Sequence, residues 1–383
     1  MKNILFVIST LTGGGAERTV SSLSEHFGED IRCTVLLNST SEDDYSFDGE
    51  IISLGMKPAV KKTMGYQIVA AFKRYRKLKE LKSTRRYNAV ISFMESANFL
   101  NVLTGGKNCK TILSVRNVLS EEYTGIYKII LICSKILYRK ADYVVALSEF
   151  SRIDLIHNIG VPGKKVITIY NGYDLTQYKY RQHNGRTSFI TMGRLVPQKG
   201  QWHLIRAFSE VVKVHPEARL IILGQGQLEN TLKELIEAYN LDKNVEMVGF
   251  VNNSEDYLAE ADCFVFPSVY EGFGNALIEA LMNGLPVIVS DYSVAREIAA
   301  PELDKQRIIQ KVTETSYGIL TPRTGDVICN EKVALDDAEY QMAEAMIGFI
   351  DGKVGKQYDD KNRLECLSRF SIEHVIAQWT ELI

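Results

Sequence analysis

The sequence lacks any apolar run near the ~18 residues that a membrane-spanning helix needs. Its longest candidate, IYKIILICSKIL at 126–137, is interrupted by lysines. No secretory leader is expected: the apolar part of MKNILFVIST is short and passes into TGGGAER without a small-residue cleavage site. It lacks a net field, because 45 basic and 47 acidic residues leave a formal charge of −2, so nothing global steers it to nucleic acid and no such partner is expected. The six cysteines (Cys33, Cys109, Cys133, Cys263, Cys329 and Cys366) form no close pair and sit mostly in apolar runs. That excludes a disulfide or zinc framework and fits reduced thiols in the cytoplasm. Short repeats, low-complexity tracts, a post-strand Asp-x-Asp and a histidine cluster are also missing, so neither a metal nor a cofactor is expected.

What is present is a chain of 383 residues, 45% apolar and 24% charged, enough for sizeable cores in two or three domains. Short β-branched runs alternate with helical patterns. ILFVIS (4–9), CTVLL (33–37), AVISF (89–93), TILSV (111–115) and YVVALS (143–148) form a first series. SFITMG (188–193), RLIILG (219–224), VEMVGF (245–250), CFVFPS (263–268) and PVIVS (286–290) form a second. Runs apolar on both faces and separated by helices predict parallel sheets covered on both sides. The reading is α/β: two doubly wound, Rossmann-like domains facing across a cleft, 1–172 and 173–365, joined near the turn-rich NGYDLTQYKYRQHNG (171–185). Residues 366–383, with SIEHVIAQWTELI at their end, are expected to form a helix crossing back to the first domain.

In such sheets ligands gather at the carboxyl ends of strands, and the chemistry-bearing residues follow strands here. TGGGAER follows the first strand; Gly14 and Gly15 let a ligand approach the backbone, and the helix behind them attracts negative charge. A dinucleotide fingerprint would need a further glycine where Arg18 stands and an acid after the second strand, which ends at Asn38, so a dehydrogenase is disfavoured. MGRLVPQKG puts Arg194 and Lys199 five apart across a proline turn, a planar fork and a point charge within reach of one anion, and a diphosphate leaving group suits them. Gly224 in ILGQGQ permits the backbone to lie against a flat base, and backbone groups near Val251 could read a base edge. In VYEGFGNALIEALMNGLP, the carboxylates of Glu271 and Glu279 flank a turn whose amides open a helix near Asn275, so they can hold two sugars with phosphates between them.

EGFGNALIEALMNGLPVIVSD, with MGRLVPQKG, NGYD and GGGAER, resembles the family-4 retaining glycosyltransferases of GT-B fold, over nearly the whole chain. The N-terminal motif is similar to that of members acting in capsule, O-antigen and lipid-linked oligosaccharide synthesis. The resemblance implies Arg194 and Lys199 on the donor diphosphate, Glu279 on the ribose and Glu271 on the donor sugar. It implies backbone amides of Phe273, Gly274 and Asn275 at phosphate or sugar, and Gly13 to Gly15 near the phosphates or the acceptor. It also implies metal-independent transfer with retention, from a UDP- or GDP-linked sugar to a glycan or polyprenyl-diphosphate-linked acceptor. One position departs from the family. Many members carry a histidine after the strand corresponding to TILSV; here Arg116 stands there, with Asn117 beside it. Arginine is no base at neutral pH, but it can hydrogen-bond a sugar hydroxyl or a phosphate.

AFKRYRKLKELKSTRRY (71–87) has eight basic residues, Lys73, Arg74, Arg76 and Lys77 among them, and one acid. A helix there would align Phe72, Tyr75, Leu78 and Leu81. With the apolar, basic-ended GIYKIILICSKILYRKAD (125–142), it predicts a peripheral contact with an anionic inner leaflet. Two other readings stay open: a nucleotide-sugar epimerase on the same scaffold, and a non-catalytic nucleotide-binding component of a polysaccharide assembly complex.

Overall fold

The computed structural model describes residues 1–57, 63–106, 109–123, 125–177, 187–303, 308–355 and 359–383. The chain divides into two compact units, 1–173 with 370–383, and 174–369. The expected junction, 171–185, lies outside the described residues from 178 onward.

The first unit runs β1 (Lys2–Val7), α1 (Gly15–His26), β2 (Ile31–Leu37), β3 (Glu50–Ser53), α2 (Met64–Thr84), β4 (Ala89–Phe93), α3 (Glu95–Leu103), β5 (Lys110–Val115), α4 (Leu119–Glu122), α5 (Lys128–Leu137), β6 (Tyr143–Ala146), α6 (Glu149–His157) and β7 (Val166–Thr168). Its seven strands among the described residues are parallel, in the order β3-β2-β1-β4-β5-β6-β7. Both faces of the central strands are sealed: Ile4, Leu5, Phe6 and Val7 are all fully buried. Such strands show an unbroken apolar run instead of alternation. The direction of winding switches between β1 and β4, where a doubly wound sheet opens its ligand crevice.

The second unit repeats the plan with β8 (Ser188–Met192), α7 (Gln201–Val214), β9 (Arg219–Leu223), α8 (Glu229–Ala238), β10 (Val245–Gly249), α9 (Ser254–Glu260), β11 (Cys263–Phe266), α10 (Asn275–Met282), β12 (Val287–Ser290), α11 (Ser293–Ala299), β13 (Thr313–Glu314), β14 (Ile319–Thr321), α12 (Asp337–Ile350) and α13 (Asp360–Ser368). The sheet order is β10-β9-β8-β11-β12-β14-β13, parallel except for the short β13. The switch here falls between β8 and β11.

The chain then returns to the first unit as α14 (Ile372–Leu382). Tyr173 N–H donates to Phe370 O and Ile372 N–H to Tyr173 O, both at 2.9 Å, so the outgoing and returning segments are stitched together. Trp379, 1% exposed, sets its ring 6.3 Å from that of Phe93 at the end of β4.

One expectation is corrected. The inward stripe of α2 is Arg74, Leu78 and Leu81, spaced i, i+4, i+7, whereas Phe72 is 61% exposed. Arg74 is therefore no surface cation. Its guanidinium donates to Asn38 Oδ1 at 2.7 and 3.1 Å and to Ser9 Oγ at 3.0 Å, polar groups at the carboxyl ends of β1 and β2. Burial pulls it down to about 10.

Candidate functional site

In the second unit the loops after β10, β9, β8 and β11, neighbours in the sheet, carry Val251, Gly224, Arg194 with Lys199, and Glu271 respectively. All nine second-unit candidates of the sequence reading, Phe273, Gly274, Asn275 and Glu279 included, thus follow adjacent strands at one edge or open the helix next to it.

The turn after β8 is locked to the turn after β11. Gly200 adopts a left-handed φ of 64°, and a Cβ there would lie 2.2 Å from Pro267 O, so only glycine allows the approach. Val269 N–H donates to Gln198 O at 2.9 Å, and Gln198 Nε2 to Tyr270 O at 3.1 Å. This stitching brings Lys199 Nζ into an ion pair with Glu271 Oε1; the side chains are 16% and 10% exposed. Ser268 Oγ donates to the same oxygen at 3.1 Å, and Lys199 Nζ lies 5.5 Å from the centre of the Phe266 ring. Arg194 is exposed on the same turn, and its carbonyl accepts from Gln201 Nε2 at 3.2 Å.

Gly274 has φ 113° and opens α10; a Cβ would lie 2.8 Å from the hydroxyl of Tyr292. That hydroxyl is buried without a hydrogen-bond partner among the described residues. Burial first, and then the charges of Glu271 and Glu297, push the phenol well above its ordinary range. Phe273 is buried, while Asn275 and Glu279 are half-buried on the first turns of α10. Gly224 has a structural reason of its own: a Cβ would lie 1.9 Å from Gly193 O, so the glycine makes room for the chain leaving β8. Val251 is half-buried. Ser268, Phe266 and Tyr292 were missed by the sequence reading. Only Ser268 carried a signal, three residues ahead of Glu271 on the same turn.

In the first unit, Gly14 and Gly15 sit at the N-terminus of α1, and a Cβ on Gly14 would meet Glu17 Oε2 at 2.0 Å. The Glu17 carboxylate thus already lies over the positive end of the helix. Arg116, just past β5, is 6% exposed beneath the same helix. Its Nη2 donates to Thr19 Oγ1 at 2.9 Å and to Asn171 Oδ1, and its guanidinium carbon lies 5.7 Å from the centre of the Phe93 ring. Burial pulls it down to about 10.

Among the described residues, one group has ligand-like spacing for a metal: His203, Asp336 and Glu339. The Glu339 carboxylate is already saturated. Arg206 donates to both oxygens, at 2.7 and 2.9 Å, and His203 Nδ1 and the Asp336 amide supply the rest. This cluster ties the start of α7 to the start of α12, and His203 Nε2 lies 2.9 Å from Gly325 O, past the end of β14.

The glycosyltransferase family 4 model matches residues 13–177, and the glycosyl transferases group 1 model matches residues 176–314. An uncharacterized glycosyltransferase of Methanocaldococcus jannaschii is 36% identical over 323 residues, 79% of each chain. The N-acetylgalactosamine-N,N'-diacetylbacillosaminyl-diphospho-undecaprenol 4-alpha-N-acetylgalactosaminyltransferase of Campylobacter jejuni is 36% identical over 43% of this chain and 45% of its own. Among solved structures, Anabaena HepE in complex with UDP and glucose superposes with a TM-score of 0.73 at 19% identity, covering 100% of this chain and 99% of its own.

Proposed function

The chain belongs to the family-4 glycosyltransferases, enzymes of GT-B fold, and on that premise we propose that it transfers a hexosyl group, with retention, from a UDP- or GDP-linked sugar to a glycan or polyprenyl-diphosphate-linked oligosaccharide. The observation that carries this reading is the Lys199–Glu271 pair at the carboxyl edge of the second sheet, a cation and an acid held side by side next to the N-terminus of α10. Arg194 and Lys199 take the diphosphate, whose charge grows as the glycosidic bond breaks; one such preorganised donor is worth ~3–4 kcal/mol of barrier. The N-terminus of α10, with the amides of Phe273, Gly274 and Asn275, adds to that counter-charge, so the chemistry is assigned no metal. Glu271 holds the donor sugar and Glu279 the ribose diol. Gly224 and the backbone near Val251 face the base, and Gly14, Gly15 and Arg116 serve the phosphates or the acceptor from the first unit. The acceptor hydroxyl attacks the anomeric carbon on the face from which the diphosphate leaves, the carbon–oxygen bond to phosphate breaks, and a phosphate oxygen receives the proton.

The Campylobacter relative supports a lipid-linked acceptor and hence work at the inner membrane face. The test is a screen of UDP- and GDP-sugars for release of the nucleoside diphosphate, with and without a polyprenyl-diphosphate-linked glycan. Acceptor-dependent release supports the reading. Tight NAD binding with no binding of UDP or GDP overturns it, and donor rearrangement without any acceptor would point to an epimerase.

A further inference from the structure

Two helices of the first unit carry apolar residues on their outward faces. On α5, Ile129, Ile132 and Ile136 recur at i, i+3, i+7 and are 58%, 53% and 59% exposed, while Leu131 and Ser134 face inward. A surface helix ordinarily shows the reverse. On α2, Ile68 and Phe72 stand outward, 63% and 61% exposed, opposite the buried Arg74–Leu78–Leu81 stripe. Helix α3 packs against both α2 and α5, so the two ridges lie on one side of the sheet, and Leu103 of α3 is also exposed. Soluble proteins seldom leave so much contiguous apolar surface without a use.

The charges beside the ridges are mostly basic, the exposed Glu80 of α2 being paired with Lys77. Lys128 and Lys135 flank the α5 ridge, Arg139 and Lys140 follow it, and Lys73 and Arg76 stand beside Phe72, all exposed. The Arg76 guanidinium lies 5.8 Å from the centre of the Phe72 ring. From Lys128 to Lys140 there is no acidic residue.

We propose that this face docks on an anionic lipid surface, with the α5 isoleucines entering the boundary between headgroups and acyl chains and the flanking cations meeting lipid phosphates. Charge complementarity selects this occupant. A second copy would set one basic face against another and repel it. The inference deepens the membrane part of the proposed function and rests on that reading only in requiring a lipid surface at the place of work. Arg74 plays no part in it, being buried.

The experiment is co-sedimentation of the full chain with phosphatidylcholine vesicles, with and without phosphatidylglycerol. Binding should require phosphatidylglycerol. The triple variant Ile129→Gln, Ile132→Gln, Ile136→Gln should bind at least about tenfold more weakly, because the buried apolar area is lost. It should keep its melting temperature, because those side chains are exposed. Lys128→Gln with Lys135→Gln should lose mainly the salt-sensitive part of the affinity. Wild-type-like binding by the triple variant overturns the proposal. So does failure of the wild type to bind at low salt, or a wild-type dimer that the triple variant converts to monomer. Donor turnover with a water-soluble acceptor is followed in parallel: its absence would sink the enzymatic reading and leave the docking result standing.

Discussion

Lys199 and Glu271 pair across two turns that the Gly200–Pro267 approach helps to bring together. On the proposed assignment, a diphosphate arriving at Lys199 would compete with that carboxylate, which would couple donor binding to release of Glu271. Lys199→Ala should lower nucleoside diphosphate release by ~10²–10³-fold. Lys199→Met strands a largely buried carboxylate, and adding Glu271→Gln should restore the melting temperature without restoring activity. Full turnover in Lys199→Ala would remove the assigned role.

The glycine turns make a graded prediction. Gly274→Ala puts a Cβ 2.8 Å from the Tyr292 hydroxyl at a φ of 113° and should cost ~1–3 kcal/mol. Gly224→Ala meets backbone at 1.9 Å and should be worse. Gly65→Ala, in α2 with nothing within 4 Å, should be stabilising by ~0.5–1 kcal/mol. Thermal melts of the three variants check the order.

Glu95, at the start of α3, is 5% exposed; Tyr123 donates its hydroxyl to Oε2 at 2.7 Å, and Oε1 has no partner among the described residues. Burial raises its carboxyl above the ordinary 4.5. The folded chain therefore keeps a proton that the unfolded chain has released, and stability falls as pH climbs from 4.5 through the raised value. Glu95→Gln should melt higher than wild type at neutral pH and flatten the profile above 4.5. Identical slopes for the two proteins would contradict this.

Arg116 joins three separate segments: its own loop, α1 through Thr19, and Asn171. Removing it should cost about 2 kcal/mol, as for a hydrogen-bonded buried charge. Arg116→Lys keeps the charge but not the fork, and should recover only part of the stability. If Arg116 also touches substrate, Arg116→Lys should lower kcat or raise KM beyond what its melting temperature explains. Unchanged kinetics would confine it to holding α1.

Much of this was legible from short runs. AVISF coincides with β4, because a strand covered on both faces announces itself as an unbroken apolar stretch. Edge strands give no such signal: β3 is largely exposed, and β7 has three residues. The positions of Arg194, Lys199, Glu271 and Glu279 after strands followed from the order of elements. That Lys199 meets Glu271 did not, because it depends on one turn packing against a carbonyl far away in sequence. Arg74 misled for the same reason. Within a basic run an arginine reads as solvated, and its partners Ser9 and Asn38 are polar only at strand ends the run does not reveal. For Gly224, room for a base could be anticipated from the sequence, but the demand made on it by the backbone at Gly193 could not.

The placement of α14 bears on how the polypeptide matures. Domains usually fold as they leave the ribosome, the first before the second. Here Trp379 beside Phe93 belongs to the first unit but is translated after everything in the second. The N-terminal sheet must therefore wait, with that flank unclosed, until the whole second unit has been translated. A chain cut before α14 would be damaged in its N-terminal sheet.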